Sequence, residues 1–506
     1  MSQIFKSTFV VSILSACGLC LGLLCNVAIA AKFGAHQDMD IFLAATTLPL
    51  FITSVLSGSL NLTFIPIFAE YRAKEPTQIW KVVSSFINLN IIVTLVVCIV
   101  GVILAYPIMK ILAPGFNDVE LVKSVTLLRI LFPIIVLNVI NALVSSVYYS
   151  NQKFLVPSLN NLISPILIII YVALFHNILS TKSIAFAMVT AAFIQTCLLV
   201  ASVSKIPGFN YLLIFDFKHP GVIKILKLMA PLVFGMLIYR ATPIFDNYFL
   251  SMLPNGSISH IGYAQKLLGV IPQLISSGIS ITVFPLMAKY AAEKKWTELQ
   301  IIMSKGIRQV LFFVIPIIFI MSTSGLVVVR LVYERGSFGL EDSIAVSNVF
   351  TIYLFSLFFS TANNLTNCYY VLNDTITPLI VGTISTIAYV IACFMLLKMH
   401  FGYLTFPMAY FIYFSFVIVH AVIIRKKLNS SGGKRIIASI LKFTIVSLTI
   451  SALLHYASLN SDNLSFNSFL IGVSFLLYYV ICNYILHLDE AKIIHRKLAQ
   501  SFNFNK

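Results

Sequence analysis

The chain has 506 residues, of which 59% are hydrophobic and only 10% charged, with 34 Lys and Arg against 17 Asp and Glu. A soluble domain carries roughly 25% charged residues, so this composition excludes a water-soluble body, and with it a basic domain that would put the net charge of +17 to use on nucleic acid. Apolar stretches long enough to cross a ~30 Å hydrocarbon core, which takes about 20 helical residues, recur from end to end. They predict an all-α polytopic membrane protein.

Fourteen spans follow in chain order. The first six cover 7–31, 41–68, 82–108, 124–150, 156–176 and 183–204. The first is too long for the apolar core of a signal peptide, and no small-residue cleavage site precedes a soluble body, so it counts as a span. A basic connection, Lys205–Lys224, carries Pro207, Gly208 and Pro220 and reads as a linker. Six more spans cover 225–252, 261–288, 308–330, 345–371, 376–397 and 402–424. After a second basic link, Arg425–Arg435, come spans at 436–456 and 464–486 and a basic tail. Backbone groups in lipid must be satisfied internally, and stretches this uniformly apolar fit helices rather than alternating barrel strands.

The chain repeats itself. Phe64-Ile-Pro-Ile-Phe-Ala-Glu-Tyr71 returns as Val283-Phe-Pro-Leu-Met-Ala-Lys-Tyr290, displaced by 219 residues. Tyr148-Tyr149 with Pro157 returns as Tyr369-Tyr370 with Pro378, displaced by 221. A unit of this length holds six spans, an even number, so both copies enter the membrane from the same side as a parallel repeat. The expected division is an N-lobe at 1–205, a linker at 206–224, a C-lobe at 225–424, and at 425–506 two extra spans with the tail. Duplicated membrane units pack around a central site and move against each other, which points to transport.

Orientation follows from the cations. With the N-terminus in the cytoplasm, 23 Lys and Arg fall on the cytoplasmic side and 7 opposite, an asymmetry that obeys the positive-inside rule and places both termini inside. The eight cysteines all lie within spans, and Cys17 and Cys20, though spaced CxxC, read as small apolar fillers. Proline and glycine recur within spans, and Pro66 and Pro285, at equivalent repeat positions, read as bends built into the fold.

No HExxH, GxSxG or P-loop is present, and the nine histidines do not pair at metal spacing, so neither an enzyme nor a metal site is expected. The sparse intramembrane charges are the sharper signal, because an ionisable group at membrane depth is costly unless it faces a polar interior. Span 7 carries Arg240 and Asp246 with Pro243 between them, and span 8 carries Lys266. Arg240 and Lys266 are the candidate anion site for a phosphate or diphosphate. The competing reading has either cation pairing with Asp246 to hold span 7 to span 8. Asp246, with Asn247 and Thr242, is the candidate site for a coupling ion, Na⁺ or H⁺. Arg129 in span 4 either joins the cavity cations or snorkels to the interface. Asp40 at the start of span 2 either caps that helix or faces the cavity mouth. The polar run Ser360–Asn367 in span 10 reads as helix–helix hydrogen bonding or as a sugar-facing wall.

Lys32-Phe-Gly-Ala35 followed by Asp40 and Phe42, the Phe64–Tyr71 segment, Ala113-Pro-Gly-Phe116, Phe284-Pro285 and Asp374-Thr-Ile-Thr-Pro378 together resemble the MurJ (MviN) family of lipid II flippases in the MOP transporter superfamily. The resemblance runs over nearly the whole chain. It implies two six-helix lobes in a V around a cationic cavity, alternating access, and two additional helices forming a groove for a polyprenyl tail. The chain departs from the family pattern at several positions. Leu19 and Cys25 stand where span-1 arginines would fall, Ile52-Thr53-Ser54 occupies the span-2 region, Lys266 replaces an arginine, Gly269 replaces an acidic residue, and Arg240 is additional.

The expected function is a flippase carrying a polyprenyl-(di)phosphate-linked saccharide, lipid II or another envelope glycan precursor, across the bacterial cytoplasmic membrane. No cofactor beyond a coupling ion is expected. The expected partners are the glycan lipid, membrane lipids and envelope glycosyltransferases, with no nucleic acid. A cation-coupled exporter of amphiphilic drugs or metabolites is one alternative, and a non-transporting scaffold is another.

Overall fold

The computed structural model describes residues 2–75, 78–206, 209–360, 368–369, 371–372, 374, 376–428, 433–458, 463–486, 488 and 490. Among them, regular structure is helical apart from one isolated bridge between Arg335 and Phe338. Among the described residues, thirteen stretches are long and apolar enough to cross a membrane. Helix α12 (Ser257–Ala292), 36 residues long, stands where the eighth span was expected. Most of the polar run Ser360–Asn367 lies outside the described residues.

Packing divides the chain into two compact units, Met1–Ser259 with Arg335–Phe338, and His260–Glu334 with Gly339–Lys506. The division falls after span 7, not at the 206–224 linker, because the two halves of span 7 pack on helices of the first unit.

In the first unit, α1 (Ser2–Phe33) packs on α7 (Leu155–Asn160) and α8 (Ile163–Leu179). The long α2 (Gln37–Lys74) is central. It contacts α5 (Asp118–Leu131), α6 (Pro133–Ser150), α10 (Pro220–Tyr239) and α11 (Thr242–Leu250). Phe64 and Phe68 of α2 are buried with Phe86 of α3 (Ile79–Ile103), Leu143 and Tyr148 of α6, and Val203 of α9 (Lys182–Val203). Pro66 sits in this stretch without breaking the helix.

The second unit repeats the arrangement with other side chains. Val283 and Met287 of α12 occupy the positions of Phe64 and Phe68, and Tyr369 that of Tyr148, in a buried cluster with Leu299 and Ile424. The backbone repeats as well. The Tyr148 carbonyl accepts from the N–H groups of Asn151 and Lys153, and the Tyr369 carbonyl from those of Leu372 and Asp374. Span 3 breaks at Leu104 between α3 and α4 (Ala105–Leu112). Span 9 breaks at the equivalent Ser324 between α13 (Trp296–Thr323) and α14 (Gly325–Tyr333). Pro107 has no N–H to give the Ile103 carbonyl, so the first break falls where a proline forces it, whereas no proline follows the second.

The rest of the second unit comprises α15 (Leu340–Ser360), α16 (Ile376–Lys398), α17 (Thr405–Ser415), α18 (Val417–Lys427), α19 (Gly433–Ser458) and α20 (Leu464–Val480). The last two are the spans outside the repeat. They pack on α13 through Phe312, whose ring lies 5.5 Å from Phe443 and 5.3 Å from Tyr478, with the Tyr478 hydroxyl donating to the Phe312 carbonyl.

Candidate substrate and ion sites

Span 7 is not one helix. Pro243 has no N–H to give the Tyr239 carbonyl, and the chain unwinds at Arg240–Ala241 between α10 and α11. Arg240 thus occupies the C-cap of α10, half-buried, and its guanidinium donates 3.2 Å to the Ser54 carbonyl of α2. Gly58, one turn along α2, leaves room for it, since a Cβ there would lie 3.5 Å from the guanidinium and 3.2 Å from the Met236 sulfur.

Beyond the break, Thr242, Asp246 and Asn247 are all buried on α11. The Asn247 amide hydrogen-bonds the Thr47 hydroxyl of α2, and that hydroxyl donates 3.0 Å to the Leu43 carbonyl. The break therefore turns a guanidinium and the Asn247 amide toward the same long helix, and the structure brings Arg240, Thr242, Asp246 and Asn247 into one region of the first unit. Thr47 and Ser54, which complete it, carry no mark in the sequence, since hydroxyls are common in membrane helices and usually serve their own backbone.

Lys266 belongs to the second unit. Its ammonium lies 5.6 Å from the centre of the Tyr263 ring, a cation–π distance. Gln265 beside it donates 3.0 Å to the Tyr353 hydroxyl. One turn on, a Cβ at Gly269 would meet no atom within 4 Å, so the helix face beyond Lys266 borders open space.

Asp40 is buried, and both its oxygens are used. One accepts from the Gly256 N–H at 2.6 Å and the other from the Ser259 N–H at 2.7 Å, so a residue of α2 caps the start of α12. A carboxylate on the free N–H groups of a helix N-terminus gains from charge and dipole together. Arg129 is exposed on α5, and its Nε–H donates 3.3 Å to the Val102 carbonyl, one of the carbonyls at the α3–α4 break.

Two glycine turns escaped notice as a pair. Gly115 follows α4, and a Cβ on it would lie 2.0 Å from the Ser251 carbonyl oxygen at the end of α11. Gly336 follows α14 with φ near +60°, and a Cβ there would lie 2.1 Å from the Ala31 oxygen in α1. The adjacent Ser337 donates its N–H to the same Ala31 carbonyl at 2.8 Å. The signal was available, because Gly115 and Gly336 are 221 residues apart, the repeat displacement.

A cavity of about 720 Å³ opens within the second unit between α13, α18 and α19. Ile301, Ile307, Phe358, Val422 and Ile437 line it, together with the cations Arg308, Arg425, Lys434 and Arg435.

These features define a multi-spanning transporter of MOP-superfamily fold. An inward closed lipid II flippase MurJ superposes with a TM-score of 0.81 at 22% identity, over 97% of this chain and all of that one. An inward-facing MATE multidrug-resistance transporter of the superfamily reaches 0.68 at 12% identity, over 81% of this chain and 94% of that one. The family model described as lipid II flippase MurJ matches residues 29–475, and the chain belongs to that family. A probable lipid II flippase MurJ of Buchnera aphidicola is 29% identical over 364 residues, 70% of each chain. The corresponding protein of Rickettsia prowazekii is 26% identical over 392 residues, 76% of each.

Proposed function

We propose that the chain moves lipid II, or a closely related polyprenyl-diphosphate-linked saccharide, from the inner to the outer leaflet of a bacterial cytoplasmic membrane. The observation that carries this reading, within a lipid II flippase family, is a cation placed where a broken span meets α2: Arg240 at the α10–α11 break. A guanidinium suits a diphosphate through paired N–H groups, and Lys266, in the second unit, is a second proposed phosphate-binding cation. The apolar cavity beside α19 would accept isoprene units, which cost about 0.8 kcal/mol per CH₂ if left in water, while the cations lining it would face the headgroup layer. Asp246 and Asn247 are the proposed Na⁺ or H⁺ site, both termini are placed in the cytoplasm by the cation asymmetry, and envelope glycosyltransferases are the expected consumers of the flipped product.

The test is flipping of a fluorescent lipid II analogue in proteoliposomes. Arg240→Ala and Lys266→Ala should each abolish flipping while thermal stability stays near wild type. Normal flipping by both variants refutes the assignment of these cations. Asp246→Asn should bind the analogue yet lose its response to imposed Na⁺ or H⁺ gradients, and an unchanged response excludes Asp246 as the coupling group.

A further inference from the structure

We infer that residues 209–217, the middle of the connection between α9 and α10, form a loop seated at the boundary between the headgroups and acyl chains of one leaflet, and that Ser84 and Asn88 of α3 exist to hold it there. The Asn88 amide donates to the Leu212 and Ile214 carbonyls at 3.4 and 2.9 Å, and its oxygen accepts from the Tyr211 hydroxyl. The Leu212 N–H donates 3.0 Å to the Ser84 hydroxyl. The loop climbs α3 and returns. Phe209 packs edge-on against Trp80 at 4.9 Å near the start of the helix, residues 211–214 reach Asn88, and Asp216 comes back within 3.5 Å of Lys81.

Asn88 lies nine residues into α3 from Ile79, roughly 13 Å along the axis at 1.5 Å per residue. Lipid-exposed irregular backbone does not occur in the hydrocarbon core, which confines the segment to the hydrated boundary, and there Asn88 and Ser84 serve the Leu212 N–H and the Leu212 and Ile214 carbonyls. Otherwise they are two polar residues in a strongly apolar span with no evident purpose. The side chains agree, since exposure alternates along the segment. Leu212, Ile214 and Asp216 are half-covered, whereas Tyr211, Leu213 at 75% and Phe215 at 52% are exposed.

The neighbouring surface identifies what covers those exposed groups. Val82 through Asn88 of α3 are buried, and the exposed apolar face of this helix begins only at Ile92 and continues through Val96 and Ile99 to Ile103. The outward row of the loop is thus continuous with a lipid-facing helix surface. Lys205 and Lys218, exposed at either side of the segment, suit the anionic headgroup layer. The segment is a fixed part of the first unit, not slack chain.

The test uses the full chain in vesicles of phosphatidylcholine and phosphatidylglycerol. Leu213→Trp is introduced with Trp80→Phe and Trp296→Phe, the only natural tryptophans. Leu213 is so exposed that the substitution removes little packing. The introduced indole should be quenched several-fold by acyl-brominated phosphatidylcholine and shielded from aqueous iodide. Quenching by iodide with indifference to brominated lipid overturns the proposal. In the same background, Asn88→Leu and, separately, Ser84→Ala should move the indole toward the iodide-accessible state. Unchanged lipid quenching in both would refute the holding role of these residues.

Discussion

Replacing Asp40 by Ala removes the carboxylate that holds the start of α12. The two N–H···O contacts, 2.6 and 2.7 Å, are short even for charge-assisted bonds, and the group is only 5% exposed. Hydrogen bonds to a charged group contribute about 1.5–3 kcal/mol each, and loss of a helix N-cap alone costs about 0.5–2 kcal/mol. The terms overlap, because removing one side chain frees both N–H groups at once, so Asp40→Ala should cost about 2–4 kcal/mol. Asp40→Asn keeps one acceptor oxygen but turns an NH₂ toward an N–H donor and loses the charge, and should fall about midway. A shift of several degrees in melting temperature is the expected reading for Ala, measured in detergent at a fixed heating rate because membrane-protein unfolding is commonly irreversible. The order wild type, Asn, Ala is the diagnostic result. A wild-type melting temperature for Ala would show that the cap does not hold the fold, and equal losses for Asn and Ala would refute the oxygen-by-oxygen account.

Gly115→Ala would drive a methyl group within 2.0 Å of the Ser251 carbonyl, backbone that cannot turn aside, so the protein should melt earlier than wild type while Gly269→Ala, which faces open space, should not. Asp374 is held at a pKa of about 2: burial opposes ionisation, and hydrogen bonds from Lys427 and from the Thr377 side chain and N–H outweigh it. Because this pKa is depressed in the folded state, its stabilisation is present above the unfolded value of 3.8 and is lost as pH falls through about 2. The half-exposed Lys427 admits screening, so the melting-temperature gap between wild type and Asp374→Asn should correspond to about 1–2 kcal/mol near neutrality and shrink on acidification. Arg129→Ala removes one bond from an exposed side chain and should cost no more than about 1 kcal/mol, with flipping retained, read by the same melting and proteoliposome assays.

The repeat was legible because duplication preserves the backbone problem each segment solves. Phe64 and Phe68 could become Val283 and Met287 because either pair fills the same buried position. The break at Leu104 carries a local mark, Pro107, placed as Pro243 is to the break at Arg240, whereas that at Ser324 carries no proline and was not legible. Close packing before the first break was not legible either: Gly101 lies so near the Phe132 ring that a Cβ would come within 2.2 Å of it. The linker was legible only as a connection. Nothing local to 209–217 announces that an asparagine more than a hundred residues earlier will bond its carbonyls. Asp40 stood out as an intramembrane charge, but its partners are backbone N–H groups, which every sequence possesses and none advertises.

The same distinction weighs Arg240 against the other polar groups in the spans. Arg129 meets Val102, a carbonyl at a helix break, and Asn88 meets carbonyls of a non-helical loop, so both repair backbone left unpaired by the fold. Ser54 is different. It lies inside α2, an unbroken helix from Gln37 to Lys74 whose own N–H groups already serve its carbonyls. The Arg240 bond to Ser54 is therefore surplus to the backbone, and a half-buried guanidinium with most of its five donors directed elsewhere is held at a cost the fold does not require. A half-buried group kept where stability gains little from it is the one whose removal should separate transport from folding, and Arg240 meets that condition where Asp40 and Asn88, which hold backbone, and Arg129, which is exposed, do not.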